Sequence, residues 1–405
     1  MKRGFNDMNT FIEGKKSQST IANLYLLVIG IIFLSANMRA PITSVGPVAA
    51  SIRDHLSLSN AMTGALTTIP LLAFALISPF APRLARSFGM ETVLFFVLIV
   101  LTFGSLIRPL GHLTVLYGGT IFIGAAIAIT NVLMPAFVKM NFANHIGLMT
   151  GIYSVAMNLT GAIATAISIP VAMASGLGWK GSIGIWSIVA VIALVAWIPQ
   201  LQKKNNSSSD SQTAKKAHLW RSPLAWQVTL FMGLQSLLFY SLVAWLPIIL
   251  QDQGMTASHS GFMLALVQFT QIPFMFIIPI IAGKMKNQVP LIWITFLFMV
   301  AGLCGILFGG NLLILPSVIS LGIAGAFAFA LAMMFFTLKT VDAHQAADLS
   351  AMAQSFGYLL AATTPPLFGL LFDLTASWTV PLFLLIGAAC LLLVIGLQAA
   401  RDRTV

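Results

Sequence analysis

From about residue 22 to residue 399 the chain is a succession of apolar runs separated by short polar breaks. That one feature decides the fold class. A run of about 18 or more apolar residues reads as a membrane-spanning helix, because in hydrocarbon every backbone N–H and C=O must be satisfied within the segment. Only 8% of the 405 residues are charged and 58% are hydrophobic, where a soluble domain carries about 25% charged residues. The short alternating strands of a membrane β-barrel are not seen. The sequence is read as an all-α polytopic membrane protein.

The breaks give twelve spans. The first six are about 22–50, 60–81, 92–107, 113–138, 148–174 and 181–199. The last six are about 223–250, 259–282, 290–309, 312–338, 350–372 and 379–399. The first run is too long for a signal-peptide core and no small-residue cleavage site follows it, so it is expected to be a retained helix. Cys304 and Cys390 both fall in apolar spans and suggest neither a disulfide framework nor a metal site.

The net charge of +11 would suggest nucleic acid in a soluble protein. Its distribution says otherwise. Seventeen of the 21 lysines and arginines lie in the two tails and in every second connection. Only Arg53, Arg108 and Lys180 fall on the other side, and Arg39 alone lies inside a span. That asymmetry is the positive-inside pattern of twelve helices with both termini cytoplasmic.

The stretch QKKNNSSSDSQTAKK, Gln202 to Lys216, has the composition of a flexible tether. It divides the chain into a tail at 1–20, a six-helix bundle at 21–200, a linker at 201–222, a second bundle at 223–399 and a tail at 400–405. A weak internal repeat agrees. Lys139 and Lys339 are 200 residues apart, as are Pro47 and Pro247, while Pro70 and Pro273 are 203 apart. Two parallel six-helix repeats are the architecture of major facilitator transporters, with the ligand site near the midplane between them.

Intramembrane ionisable residues are the default functional candidates in such a chain. All ten acidic residues and all six histidines are read as lying in tails, loops or span ends. An embedded hydrolase or metalloenzyme needs clustered His, Asp or Glu within the bilayer, and none is seen. A phosphate-binding glycine-lysine loop is also missing, which leaves ATP-driven transport unsupported. The reading therefore calls for no enzyme activity, cofactor or nucleic acid. Its partners are the lipid bilayer and a small-molecule substrate, with a coupling proton left open and a monomer expected.

Arg39 sits about three residues past the middle of the first span, so about 4–5 Å off centre at ~1.5 Å per residue. A mid-span arginine costs about 2.5–3.5 kcal/mol on insertion scales. The guanidinium is therefore expected to face a cavity and to bind an anionic or strongly dipolar ligand, whose paired oxygens suit its planar fork. The alternative is an arginine that braces carbonyls freed by Pro41, Gly46 and Pro47. Further candidates near the midplanes are Asn37, Thr43, Asn158, Gln235, Gln268, Gln271, Gln354 and Tyr358, with Tyr240 and Trp245 as weaker ones. For the amides and hydroxyls, hydrogen bonding between helices is an equal alternative.

Four stretches carry a family resemblance: NMRAPITSVGP (Asn37 to Pro47), ITNVLMPAFVK (Ile129 to Lys139), LQSLLFYSLVAWLP (Leu234 to Pro247) and AMAQSFGYLLAATTPPLFGLLFD (Ala351 to Asp373). Together they resemble the cyanate and 2-nitroimidazole porters of the major facilitator superfamily. The resemblance implies a bacterial porter that works by alternating access on small solutes of that kind. One stretch departs from the superfamily. PRLARSFGME, Pro82 to Glu91, has Arg86 or Ala85 where the loop after the second helix usually holds an aspartate. The matching stretch AGKMKNQ, Ala282 to Gln288, has no aspartate either, so the usual charged latch is altered.

The function expected is secondary transport of a small anionic or polarised solute, cyanate- or nitroimidazole-like. A pump exporting neutral or anionic toxicants is the rival within transport. A sensor built on the same fold is the rival from another class.

Overall fold

The computed structural model describes residues 24–202 and 219–405. The expected N-terminal tail and most of the linker lie outside the described residues. Within them the secondary structure is helical throughout, and twelve helices are long and apolar enough to cross a membrane. We label these α1 (Leu24–Leu56), α2 (Thr68–Phe88), α3 (Met90–Leu110), α4 (Leu113–Asn141), α5 (Ala143–Ala174) and α6 (Trp179–Leu201). The last six are α7 (Pro223–Asp252), α8 (Ser258–Lys284), α9 (Val289–Phe308), α10 (Gly310–Leu338), α11 (Ala343–Thr375) and α12 (Thr379–Ala399).

Burial recurs every third helix. In their most apolar stretches α4 and α10 are each 72% buried and α1 and α7 each 56%, more than any of the other eight. These four form the inner wall. The others present large apolar side chains outward, such as Leu76, Phe96, Met173 and Leu374. So much exposed apolar surface suits lipid and not water.

Several spans run further than the sequence reading placed them, and charges move with them. α11 starts at Ala343 rather than near 350, which puts Asp348 inside a helix. α2 runs on to Phe88 and so includes Arg86. The third span also reaches Leu110, which brings Arg108 out of the connection and into the fold at 2% exposure.

α1 is broken where its prolines fall. Helix stops after Ala36 and residues 37–39 turn. A single α-turn follows at Ala40–Thr43, with Pro41 in its first positions, and then a 3-10 turn at Gly46–Val48 that contains Pro47. Proline supplies no N–H and crowds the preceding turn, so each one interrupts the helical ladder.

The spans alternate in direction. One face, the basic face, carries the α2–α3, α4–α5, α8–α9 and α10–α11 connections. On it the chain's last residues are tied down. Lys339 Nζ donates to the carbonyls of Arg401 (2.6 Å) and Ala400 (3.3 Å) and to Gln288 Oε1 (3.2 Å). Val405 N donates to the Lys339 carbonyl at 2.9 Å, and Gln345 Nε2 donates to the Val405 carbonyl at 2.9 Å.

Candidate functional site

Arg39 is the first residue before the short Ala40–Thr43 turn, with φ −126° and ψ −42°. The break turns its side chain inward, to the space between the first six helices and the last six. Its Nη1 donates to Asn158 Oδ1 on α5 at 2.6 Å. Asn158 is held in turn by its own Nδ2, which donates to the Ser154 carbonyl at 2.8 Å. From the second set of helices, Phe239 and Phe329 bring ring faces 5.0 and 5.9 Å from the guanidinium carbon. No carboxylate pairs with it among the described residues. A guanidinium held by one amide and two rings keeps donors for a ligand.

Arg39 borders two connected spaces. A small recess beside it is lined by Gln235, Gln271, Phe239, Tyr240, Phe329 and Tyr358, with Gly325 and Met275 behind. A larger cavity of about 550 Å³ is shared by the two sets of helices. It includes Arg39, Thr43, Asn131, Tyr240, Gln268 and Tyr358 among mostly apolar neighbours. Its walls show where it leads. Gly46, Pro47, Thr165, Val243 and Ala244 lie further along α1, α5 and α7, which run away from the basic face. Thr68 and Leu264 lie near the starts of α2 and α8, which run toward it. The cavity therefore extends from Arg39 toward the opposite face.

On the basic side the two sets of helices are in contact. Arg86 Nη1 reaches both carboxylate oxygens of Asp348, at 2.8 and 3.0 Å. Lys139 Nζ donates to the Thr337 carbonyl (2.7 Å), to Thr340 Oγ1 (2.9 Å) and to the Thr340 carbonyl, at the end of α10. Ser355 Oγ donates to the Ala75 carbonyl at 2.5 Å. α5 and α8 meet backbone to backbone: a Cβ on Gly147 would run into the Pro279 carbonyl, and one on Gly151 would sit 2.8 Å from that of Phe276. Only glycine allows this approach. The arginine where the superfamily usually has an acid thus pairs with an acid on α11.

The eleven candidate residues divide. Eight meet at the two spaces or at Arg39. Thr43 lines the large cavity and donates from Oγ1 to the Gly161 carbonyl at 3.0 Å. Gln235 lines the recess, its Nε2 donating to Ser236 Oγ at 2.7 Å. Gln268 lines the large cavity, and Tyr240 and Tyr358 line both spaces. Gln271 is 3% exposed, lines the recess, and its Nε2 has no partner. Asn158 orients Arg39 from behind.

Asn37 and Gln354 are placed elsewhere. Asn37 Nδ2 donates to the carbonyls of Phe33 (2.8 Å) and Val189 (3.2 Å), so it fastens the end of the first α1 segment to α6. Gln354 is 1% exposed and its Nε2 donates to Ser350 Oγ, one turn back on α11, at 2.9 Å. Trp245 packs on Trp378, with ring centroids 5.2 Å apart, away from the cavity.

Three contributors were missed. Phe329 sits in a helix that is apolar on all sides, so no periodicity marks it. Asn131 lies within ITNVLMPAFVK and could have been noticed as an amide in a span. Arg108 was assigned to a connection. It donates from Nη1 to the Pro41 carbonyl at 2.5 Å, while its buried Nε has no partner. The bracing role weighed for Arg39 therefore belongs to Arg108.

A cavity between two sets of six helices is also where known carriers bind their ligands, and sequence comparison agrees. Residues 26–365 match the pattern of the Major Facilitator Superfamily. The chain belongs to that superfamily. As a member it is a membrane transporter and not an enzyme. It is 42% identical over 390 residues to an uncharacterized transporter, YycB, of Bacillus subtilis, covering 96% of each chain. It is 38% identical to the 2-nitroimidazole transporter of Escherichia coli, covering 95% of this chain and 97% of that one. It is 26% identical to the cyanate transport protein CynX of Escherichia coli, covering 87% and 91%. Solved superfamily structures share the fold at low identity. A variant of the Escherichia coli fucose:proton symporter FucP aligns with TM-score 0.74 at 14% identity, covering 94% of this chain and 99% of that one. The proton:xylose symporter XylE aligns with TM-score 0.72 at 13% identity, covering 96% and 98%.

Proposed function

We propose that this facilitator carries a small anionic or polarised solute, cyanate- or nitroimidazole-like, by alternating access across a bacterial plasma membrane. Both termini would be cytoplasmic, as the lysine and arginine asymmetry favours, and the working unit is one chain. The observation that carries the reading is the unpaired guanidinium of Arg39 at the floor of the cavity, between two ring faces. A flat, electron-rich ligand lies against such a surface and takes the remaining N–H donors. The relatives named for cyanate and for 2-nitroimidazole transport support that class.

The cavity volume favours a ring-sized member of the class. About 550 Å³ lies within the ~300–1,000 Å³ range of sites for drug-sized molecules. The same observation keeps export of neutral or anionic toxicants as the second reading.

The test is uptake of cyanate and of 2-nitroimidazole into proteoliposomes by wild type, Arg39→Ala, Arg39→Lys and Asn158→Asp. Arg39→Ala is expected to abolish saturable uptake, and Arg39→Lys to leave a small fraction of it. Asn158→Asp keeps the volume of the site and sets a carboxylate beside the guanidinium. It is expected to fold normally and to lose anion affinity by at least about tenfold. Unchanged affinity in folded Arg39→Ala protein would remove Arg39 from the site.

A further inference from the structure

Arg39 carries a guanidinium charge, and among the described residues no carboxylate pairs with it. The acids in or beside the spans are accounted for by position. Asp54, paired with Arg53, is the third residue from the end of α1, Glu91 the second residue of α3 and Asp252 the last of α7. Asp373 is near the end of α11, and Asp348 is at the basic face with Arg86. Of the described histidines, His112 lies in a connection and the others in the first or last residues of a span. In the present state the guanidinium can be solvated through the cavity. A carrier that reorients must pass through a form in which the cavity is closed at both faces. The guanidinium would then be out of water among neutral groups, the Asn158 amide oxygen, the rings of Phe239 and Phe329 and the amides and phenols of the recess, with no counter-charge. Burying a charge without a counter-charge is among the most costly events in a protein interior. A bound anion supplies the counter-charge and lowers that barrier.

We infer that this protein is an anion exchanger: it reorients readily only when an anion sits on Arg39, and the empty site returns slowly. The inference rests on the proposed binding role of Arg39 but goes beyond it, because a binding site could equally serve net flux. It also assigns the chain no coupling proton, since among the described residues no carboxylate or histidine lines either space. An inward flux of one anion is balanced by an outward flux of another.

The experiment measures initial uptake of labelled cyanate into proteoliposomes of the full chain. Both sides contain gluconate salts, so that no other small anion fills the site. One batch of vesicles is preloaded with unlabelled cyanate and the other with sucrose. Equal potassium concentrations on the two sides, with valinomycin, clamp the potential at zero in both. Preloading is expected to raise the initial rate at least about tenfold, a barrier difference of about 1.4 kcal/mol. Equal saturable rates in the two batches would overturn exchange and leave the substrate reading standing. No saturable uptake in either batch, with no cyanate-induced rise in melting temperature, would overturn both.

Discussion

Arg108 Nη1 donates to the Pro41 carbonyl at 2.5 Å, across from α3 to the break in α1. The proline break takes away this carbonyl's backbone donor, since Val45 N turns to Ile42 O instead, and besides Arg108 only a long bond from Ser44 Oγ, at 3.4 Å, reaches it. A buried acceptor left without a donor costs about 1–3 kcal/mol. Arg108→Ala should therefore lower the melting temperature of the purified protein by several degrees. Arg39→Ala should leave it nearly unchanged and instead abolish the rise in melting temperature that ligand produces. Thermal unfolding of both variants with and without cyanate separates the two arginines. Equal melting temperatures in wild type and Arg108→Ala would deny the brace.

Gln271 offers a different contrast. Its Nε2 is buried beside Arg39 without a partner, so the free protein bears a cost that a ligand can relieve. Gln271→Leu is expected to keep or raise the stability of the ligand-free protein. It should weaken ligand binding by about 3–30-fold, the range of one lost hydrogen bond to a neutral or charged group. Titration of the ligand-induced melting shift measures both quantities on one sample.

The contacts of the basic face predict a shift of state, not a loss of fold. Any side chain on Gly147 meets the α8 backbone at Pro279. Gly147→Val should push α5 from α8 and favour a cavity open at the basic face. The Arg86–Asp348 pair is exposed, and such pairs contribute about 0.2–1 kcal/mol. Asp348→Asn alone should move the distribution only up to about fivefold. Maleimide labelling of a cysteine placed at Thr165, in a background lacking Cys304 and Cys390, follows both. Labelling should fall in Gly147→Val and change little in Asp348→Asn.

Lys339 gives a pH dependence. Burial lowers its amine from the ordinary 10.5 to about 8, with Asp402 opposing the shift and Arg403 adding to it. Between those two values the unfolded chain holds a proton that the folded chain has released. Stability should therefore rise with pH from about 8 to 10.5. Below about 8 both states are protonated and the burial penalty is fully present. Melting temperatures taken across this window should climb in wild type and climb less in Lys339→Gln.

The spans were legible in the sequence because hydrocarbon imposes a minimum length and forbids polar gaps. The break in α1 was legible because Pro41 and Pro47 can hardly be read otherwise. Where a side chain points around a helix axis was not. Asn37 is two residues from Arg39, yet on a helix of ~3.6 residues per turn two positions differ by about 200°. It therefore bonds to α6 while Arg39 enters the cavity. Gln354 and Tyr358 share a helix face, but Gln354 Nε2 is taken up by Ser350 on its own helix. Asp348 and Arg86 were hidden by boundary errors of a few residues, since an amphipathic helix end has the composition of a loop. Phe329 had no sequence mark, because only its neighbours across the molecule distinguish it from the other apolar residues of α10.

The breaks in α1 are stitched to α5. Thr160 Oγ1 donates to the Ala36 carbonyl, Thr43 Oγ1 to that of Gly161 and Ser168 Oγ to that of Ser44, each at 2.9–3.0 Å. With the Arg39–Asn158 bond, these make the two helices a single lever. Its short end is the glycine contact with α8, and its load is the guanidinium. Gly147 and Asn158 are eleven residues apart, an arm of about 16 Å. A pivot of only ~5° about that contact swings the load by about 1.4 Å. Asn158 rides with Arg39 through such a stroke, whereas Phe239 and Phe329 stand on the stationary side. What the guanidinium trades as the lever moves is its aromatic company.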